Sequence, residues 1–142
     1  MSRVINPESA GKERTRLSKA IVISIRELMK QSEPNETSKD IAAFIILSLE
    51  QIDQTIELTV TPWEKRDYWV KADRFRMDWV WVKAAAKNMR KHFEAEDWAM
   101  IAMESIQIAQ RFSKIKVSDR HRMGTPWKDA YKAFLIQEQE NK

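Results

Sequence analysis

Apolar residues recur along this chain at intervals of three and four, broken by short polar clusters, and each unbroken stretch reads as one amphipathic helix. Asn6-Pro7-Glu8 has the form of a helix start, with an asparagine cap, proline at the first helical position and an acid near the positive end. The first helix is predicted to run to about Gln31, where Pro34 forces a turn over residues 32–36. Thr37 or Ser38 is the expected cap of the second helix, with Asp40 completing a capping box. Ile41, Ile45, Ser48, Ile52 and Ile56 mark its inner face, and it is expected to end near Val60.

Thr61-Pro62-Trp63-Glu64 supplies a cap, a first-position proline and an acid three residues after the threonine, so a third helix is expected to start there. Tyr68, Ala72, Phe75, Trp79, Val82, Ala86, Met89 and Phe93 follow at alternating spacings of four and three, a seam that predicts one rod over residues 62–93. Asp97 is placed to cap a fourth helix carrying Trp98, Ile101, Ser105, Ile108, Phe112 and Ile115. A loop over residues 117–124 leads to Thr125-Pro126-Trp127, which repeats the start signal. It predicts a short last helix with Ala130, Phe134 and Leu135 turned inward. The fold class is therefore all-α: an antiparallel bundle of four main helices plus a short C-terminal fifth helix.

At 142 residues this is one domain, spanning 1–142 with residues 1–5 and 137–142 expected to fray. Two glycines are too few for the turns of a β-rich fold, and the absence of cysteine removes disulfides, thiolate nucleophiles and cysteine-based metal sites. The longest nearly apolar run, Ile41 to Leu49, is nine residues where a spanning helix needs about 20. No signal peptide is recognisable, so the expected location is the cytoplasm, with no membrane partner.

Ala20-Ile21-Val22-Ile23 and Ile41 through Leu47 are apolar almost all round. These two helices therefore either form the centre of the packing or turn spare faces to a second copy in a homodimer. The net charge of +4 is unevenly spread: residues 1–31 carry +4, residues 32–61 carry −5 and the rest carries +5. A basic first helix beside an acidic second one is the natural intramolecular match. From Arg111 to Lys128 there are six bases against the single acid Asp119. Arg120, His121, Arg122 and Thr125, placed ahead of a helix N-terminus, form a candidate anion-binding group; the alternative is a basic loop solvated or lying on the acidic second helix.

Catalytic and metal chemistry finds little to work with. Neither His92 nor His121 has a glutamate three residues before it, as a di-iron bundle requires, and neither has an arginine in the slots of the Arg-x4–6-His pair of helical-bundle ribonucleases. There is no glycine-rich phosphate loop and no nucleophile elbow. No catalytic residue, metal or cofactor is indicated. Six tryptophans are the oddity of the composition. Trp79 and Trp98 lie on seams, Trp63 and Trp127 follow the prolines as staples, and Trp81 is more simply a second buried face than a contact. Trp69 shares a face with Arg66, Asp73 and Arg76, and with Arg74 in the same charged band these form a candidate interaction surface, because tryptophan and arginine dominate contact hot spots. Arginines between aromatics can also stack on bases.

The segments Ile5-Asn6-Pro7-Glu8-Ser9-Ala10-Gly11, Trp63-Glu64-Lys65-Arg66, Tyr68 through Arg76 and Met123-Gly124-Thr125-Pro126-Trp127 resemble a family of short uncharacterised all-helical bacterial proteins. The resemblance spans most of the chain and implies a cytoplasmic bacterial protein, without adding any chemistry. The function expected from the residues is non-enzymatic: a binding or scaffold protein whose partner is a protein, itself included. The alternative is an anion or nucleic-acid binder working through the basic loop and the third-helix arginines; a third possibility is an enzyme with a site of unfamiliar form.

Overall fold

The computed structural model describes residues 7–141, with side chains from Ser9 onward. It is all-α. Six helical segments follow in order: α1 (Pro7–Lys30), α2 (Glu36–Lys65), α3 (Trp69–Trp79), α4 (Trp81–Glu94), α5 (Trp98–Arg111) and α6 (Ala130–Glu140). α3 and α4 abut at Val80, whose dihedrals (φ −59°, ψ −27°) remain helical, so the two make one interrupted limb. The architecture is thus the expected one of four main limbs and a short C-terminal helix. The expected cap Asn6 and residues 1–5 lie outside the described residues.

α2 is the axis of the molecule. It packs against α1, α3, α4 and α6, while α5 closes the ring between α4 and α1. Its Ile41, Ala42, Ala43, Ile45, Ile46, Leu49 and Ile52 are completely buried. An apolar helix with neighbours all round it has no solvent face to keep polar, which is why the pattern of α2 lacks a clean stripe. Ala20, Ile21, Ile23 and Ile25 of α1 are buried too. The all-round apolar character of the first two helices is therefore met within one chain.

The helix boundaries depart from the local signals in four places. The cap of α2 is Asn35, not Thr37 or Ser38: its side chain accepts from Ser38 N (2.9 Å), and the Ser38 hydroxyl accepts from Asn35 N (3.2 Å). Thr61-Pro62 starts no helix. Pro62 lies inside α2, where its fixed φ is tolerated, and Thr61 Oγ1 donates to the Glu57 carbonyl (2.7 Å). What carries α2 onward is tertiary: the Trp63 ring stands edge-on to Phe75 at 5.4 Å, and Glu64 takes hydrogen bonds from Arg76. The break comes instead at Arg66–Tyr68, with Asp67 in the left-handed region (φ 62°).

The rod predicted over residues 62–93 is consequently three pieces. Its seam nevertheless holds from Ala72 on: Ala72, Val82, Ala86, Met89 and Phe93 are buried, Phe75 and Trp79 half-buried, and only Tyr68, ahead of α3, is exposed. The second Thr-Pro-Trp fails in the same way. Residues 126–129 form a turn, and α6 begins at Ala130 after Asp129, another left-handed residue (φ 61°). Ala130 and Phe134 face inward as expected, but Leu135, about 100° round the helix from Phe134, is exposed. α6 runs to Glu140, and Gln137 and Glu138 both bond Arg90 of α4.

Candidate interaction surfaces

The acids of α2 settle where the arginines of the middle limb go. Glu57 and Glu64 both grip Arg76, whose four nearest contacts lie at 2.9–3.0 Å. Two forked carboxylates hold the Arg76 guanidinium well above its ordinary value, and the bond from Arg76 holds the Glu64 carboxyl below its own. Glu50 takes Arg90 of α4 at 2.7 Å. These acids therefore do not answer the bases of α1, contrary to the charge match expected between consecutive helices. α1 pairs elsewhere: Arg16 with its own Glu13 (2.6 Å), and Arg26 with Asp119 of the 112–129 connection (3.7 Å). The hydrogen bond from Arg16 to Glu13 raises the Arg16 pKa.

Of the predicted interaction surface, Arg66, Trp69, Asp73 and Arg74 are exposed, whereas Arg76 is an internal clamp and is not available to a partner. Trp69 is 54% exposed, and it is not alone. Val70 (66%), Met77 (72%) and Val80 (67%) stand in water on the same side of α3. At 100° per residue, Val70, Met77, Asp73 and Arg74 fall within about 100° of arc, with Trp69 and Val80 along one edge. Their spacing of three, four and seven was open to inspection, but the stronger Phe75–Trp79–Val82 seam on the opposite side of the helix dominates the pattern. Trp81 is half-buried as expected, stacked on Trp79 (6.3 Å, 21°), edge-on to Phe112 at 5.3 Å and beneath Arg111. Lys71 lies 4.3 Å from the Trp63 ring centre.

The predicted anion group lies on the connection that precedes α6. Arg120 and Arg122 are exposed, and Thr125 is exposed and five residues ahead of α6. One amide of the first turn of α6 is engaged: Tyr131 N donates to Asp40 Oδ1 of α2 at 3.0 Å. His121 Nδ1 accepts from Met123 N (3.3 Å). The connection does not lie on acidic α2. Residues 115–118 line a shallow groove with Val22 and Arg26 of α1, and Met123 lines a second with Lys12, Arg16 and Lys19.

Chemistry elsewhere is sparse. His92 Nε2 stands 3.8 Å from Glu104 Oε1 in a partly buried pair. Among the described residues no group of three His, Cys, Asp or Glu side chains is arranged to hold a metal, and no helix is long and apolar enough to cross a membrane. An aromatic pocket between α4, α5 and α6 is lined by Phe93, Trp98, Tyr131 and Phe134, but Lys39 and Arg90 already lie over the Tyr131 and Phe134 rings. No protein-family model matches the chain, nor does any curated protein or solved structure.

Proposed function

We propose that the protein is an interaction module that works through the outer face of α3, and that its first partner is a second copy of itself. The observation that carries this is the row Trp69, Val70, Met77 and Val80, four large apolar side chains each more than half exposed along α3 and its C-terminal end. Together they offer roughly 400–500 Å² of apolar surface, the size of patch that on a monomer is commonly functional. Two such patches bury about 800–1,000 Å² in all, the lower edge of a specific interface, so the dimer is expected at micromolar concentrations.

The charges on this face favour a like partner. When two antiparallel α3 helices cross between residues 73 and 74, Asp73 of each copy meets Arg74 of the other, and Val70 meets Met77. A face that is its own complement in charge and in apolar position is what a twofold contact requires.

Sedimentation velocity over about 1–100 µM tests the reading. The wild type is expected to pass from monomer to dimer across that range. Met77→Lys, Asp73→Arg and Arg74→Asp should each remain monomeric with unchanged circular dichroism, because all three positions are exposed. The double exchange Asp73→Arg/Arg74→Asp should restore the dimer. A wild type that stays monomeric throughout, or a folded double variant that does not recover, overturns the proposal.

A further inference from the structure

Five bases of α1 form one line. Lys12, Arg16, Lys19, Arg26 and Lys30 lie at offsets of 0, 4, 7, 14 and 18, which at 100° per residue places all five within about 40° of a single line along the helix. Residues 115–118 and Met123 line grooves with this helix and Asp119 pairs with Arg26, so the 114–122 segment runs beside the line and brings Lys114, Lys116, Arg120 and Arg122 near it. Against these nine bases stand Glu13, Glu27 and Asp119. The face carries a net +6, more than the +4 of the whole chain, so the rest of the described and undescribed protein together is acidic. Among the described residues Lys12, Lys19, Lys114, Lys116, Arg120 and Arg122 make no ion pair, because the nearest acidic helix spends its glutamates on Arg76 and Arg90.

Bringing like charges onto one face works against the folded state, and a polyanion removes that repulsion. We infer that α1 and the 114–122 segment form a binding surface for the phosphate backbone of nucleic acid. Arg26 and Lys116 line one of the shallow grooves between helix and segment, and Lys12, Arg16 and Lys19 line the other, so a phosphodiester strand lying there meets cations along its path. A lipid surface is a poorer fit. Helices that bind membrane surfaces insert an apolar face, and the apolar face of α1 is buried in the core. Among the described residues the exposed large apolar side chains cluster on α3, α5 and α6 instead, with Met29 alone near the end of this line. Among the described residues the groove linings contain no Asn or Gln side chain and their one aromatic, Phe112, is buried, so binding is expected to be independent of sequence.

Fluorescence anisotropy with a labelled 20-nucleotide single strand and a 20-base-pair duplex, both of mixed sequence, tests this. With six cations free to displace counterions, affinity should fall by about 10²–10³-fold between 50 and 200 mM salt. Lys12→Gln/Lys19→Gln/Arg120→Gln/Arg122→Gln removes four of the six and should bring that drop to roughly 10-fold, while melting temperature is retained. Lys83→Gln/Lys87→Gln/Lys91→Gln on exposed positions of α4 should leave binding as it was. Absence of binding at 50 mM salt, or equal losses in the two variants, overturns the inference. So does binding to phosphatidylserine vesicles as strong as, or stronger than, binding to either oligonucleotide. Performed with the monomeric Met77→Lys variant as well, the assay separates this surface from the α3 contact, since the backbone surface lies within one copy.

Discussion

Replacing Arg14 by alanine removes a cation from the joint where α1, α2 and α3 meet. The guanidinium is half-buried, and among the described residues it has no carboxylate partner. Nη1 instead donates to the hydroxyls of Thr55 (3.1 Å) and Thr59 (3.0 Å) on α2. Its flat face lies 4.7 Å from the centre of the Phe75 ring and 5.5 Å from that of Trp79. Burial lowers its pKa, so the charge is held at some cost. Two hydrogen bonds from a charged donor are worth about 1.5 kcal/mol each at the lower end of their range. The two ring contacts add roughly 0.5–1 kcal/mol each. Setting the desolvation cost against these leaves about 2–3 kcal/mol, or a fall in Tm of roughly 6–9 °C for a chain of this length.

Urea unfolding followed by circular dichroism and tryptophan emission measures the loss, with an unchanged m-value showing that only stability moved. Arg14→Lys retains the charge but neither the fork nor the flat face, and should recover less than half of the lost stability. Arg14→Met retains the stem and should recover about half. The decisive result is Arg14→Met at or above wild-type stability. It would mean that burying the guanidinium costs more than its hydroxyl and ring contacts return, and the account of this joint would be wrong.

Two further outcomes follow from local geometry. Glu96 is an exposed non-glycine residue at φ 54°, a conformation costing about 1 kcal/mol for an L-residue, so Glu96→Gly should raise stability by about 0.5–1 kcal/mol in the same assay. The Arg76 clamp lowers the Glu64 pKa in the folded state, so as pH falls the unfolded chain takes up that proton first. The contribution of Glu64 to stability is complete above the ordinary carboxylate range and is lost as pH falls through its folded value. Between pH 6 and 3 the Tm of the wild type should therefore drop more steeply than that of Arg76→Gln; parallel curves would contradict the assignment.

The helical class, the number of limbs and most of the core were legible in the chain, because burial on a helix face imposes a three-four spacing that any local reading detects. Asp97 as the cap of α5, through its bond to Met100 N (3.2 Å), was equally local. The apolar excess of α1 and α2 allowed either a central position or a face for a second copy, and the packing around α2 fills its faces within one chain. Trp69 was singled out by its arginine company and is exposed, while its apolar companions Val70, Met77 and Val80 were hidden behind a stronger seam on the same helix.

What the tertiary structure decided was how competing local signals resolve. Thr-Pro twice proposed a helix start and twice lost: at Pro62 because Trp63 and Glu64 gain contacts with Phe75 and Arg76 by staying helical, and at Pro126 because the turn to Ala130 lets Asp40 take the first free amide of α6. Charge pairing was likewise a matter of partners. Sequence order placed acidic α2 beside basic α1, but a glutamate pairs with the arginine its own face meets, and on α2 those faces meet α3 and α4. The bases of α1 and of the 114–122 segment, distant in the chain, were left to share one surface. Spacing along a chain fixes which side chains share a helix face; only packing fixes what that face meets.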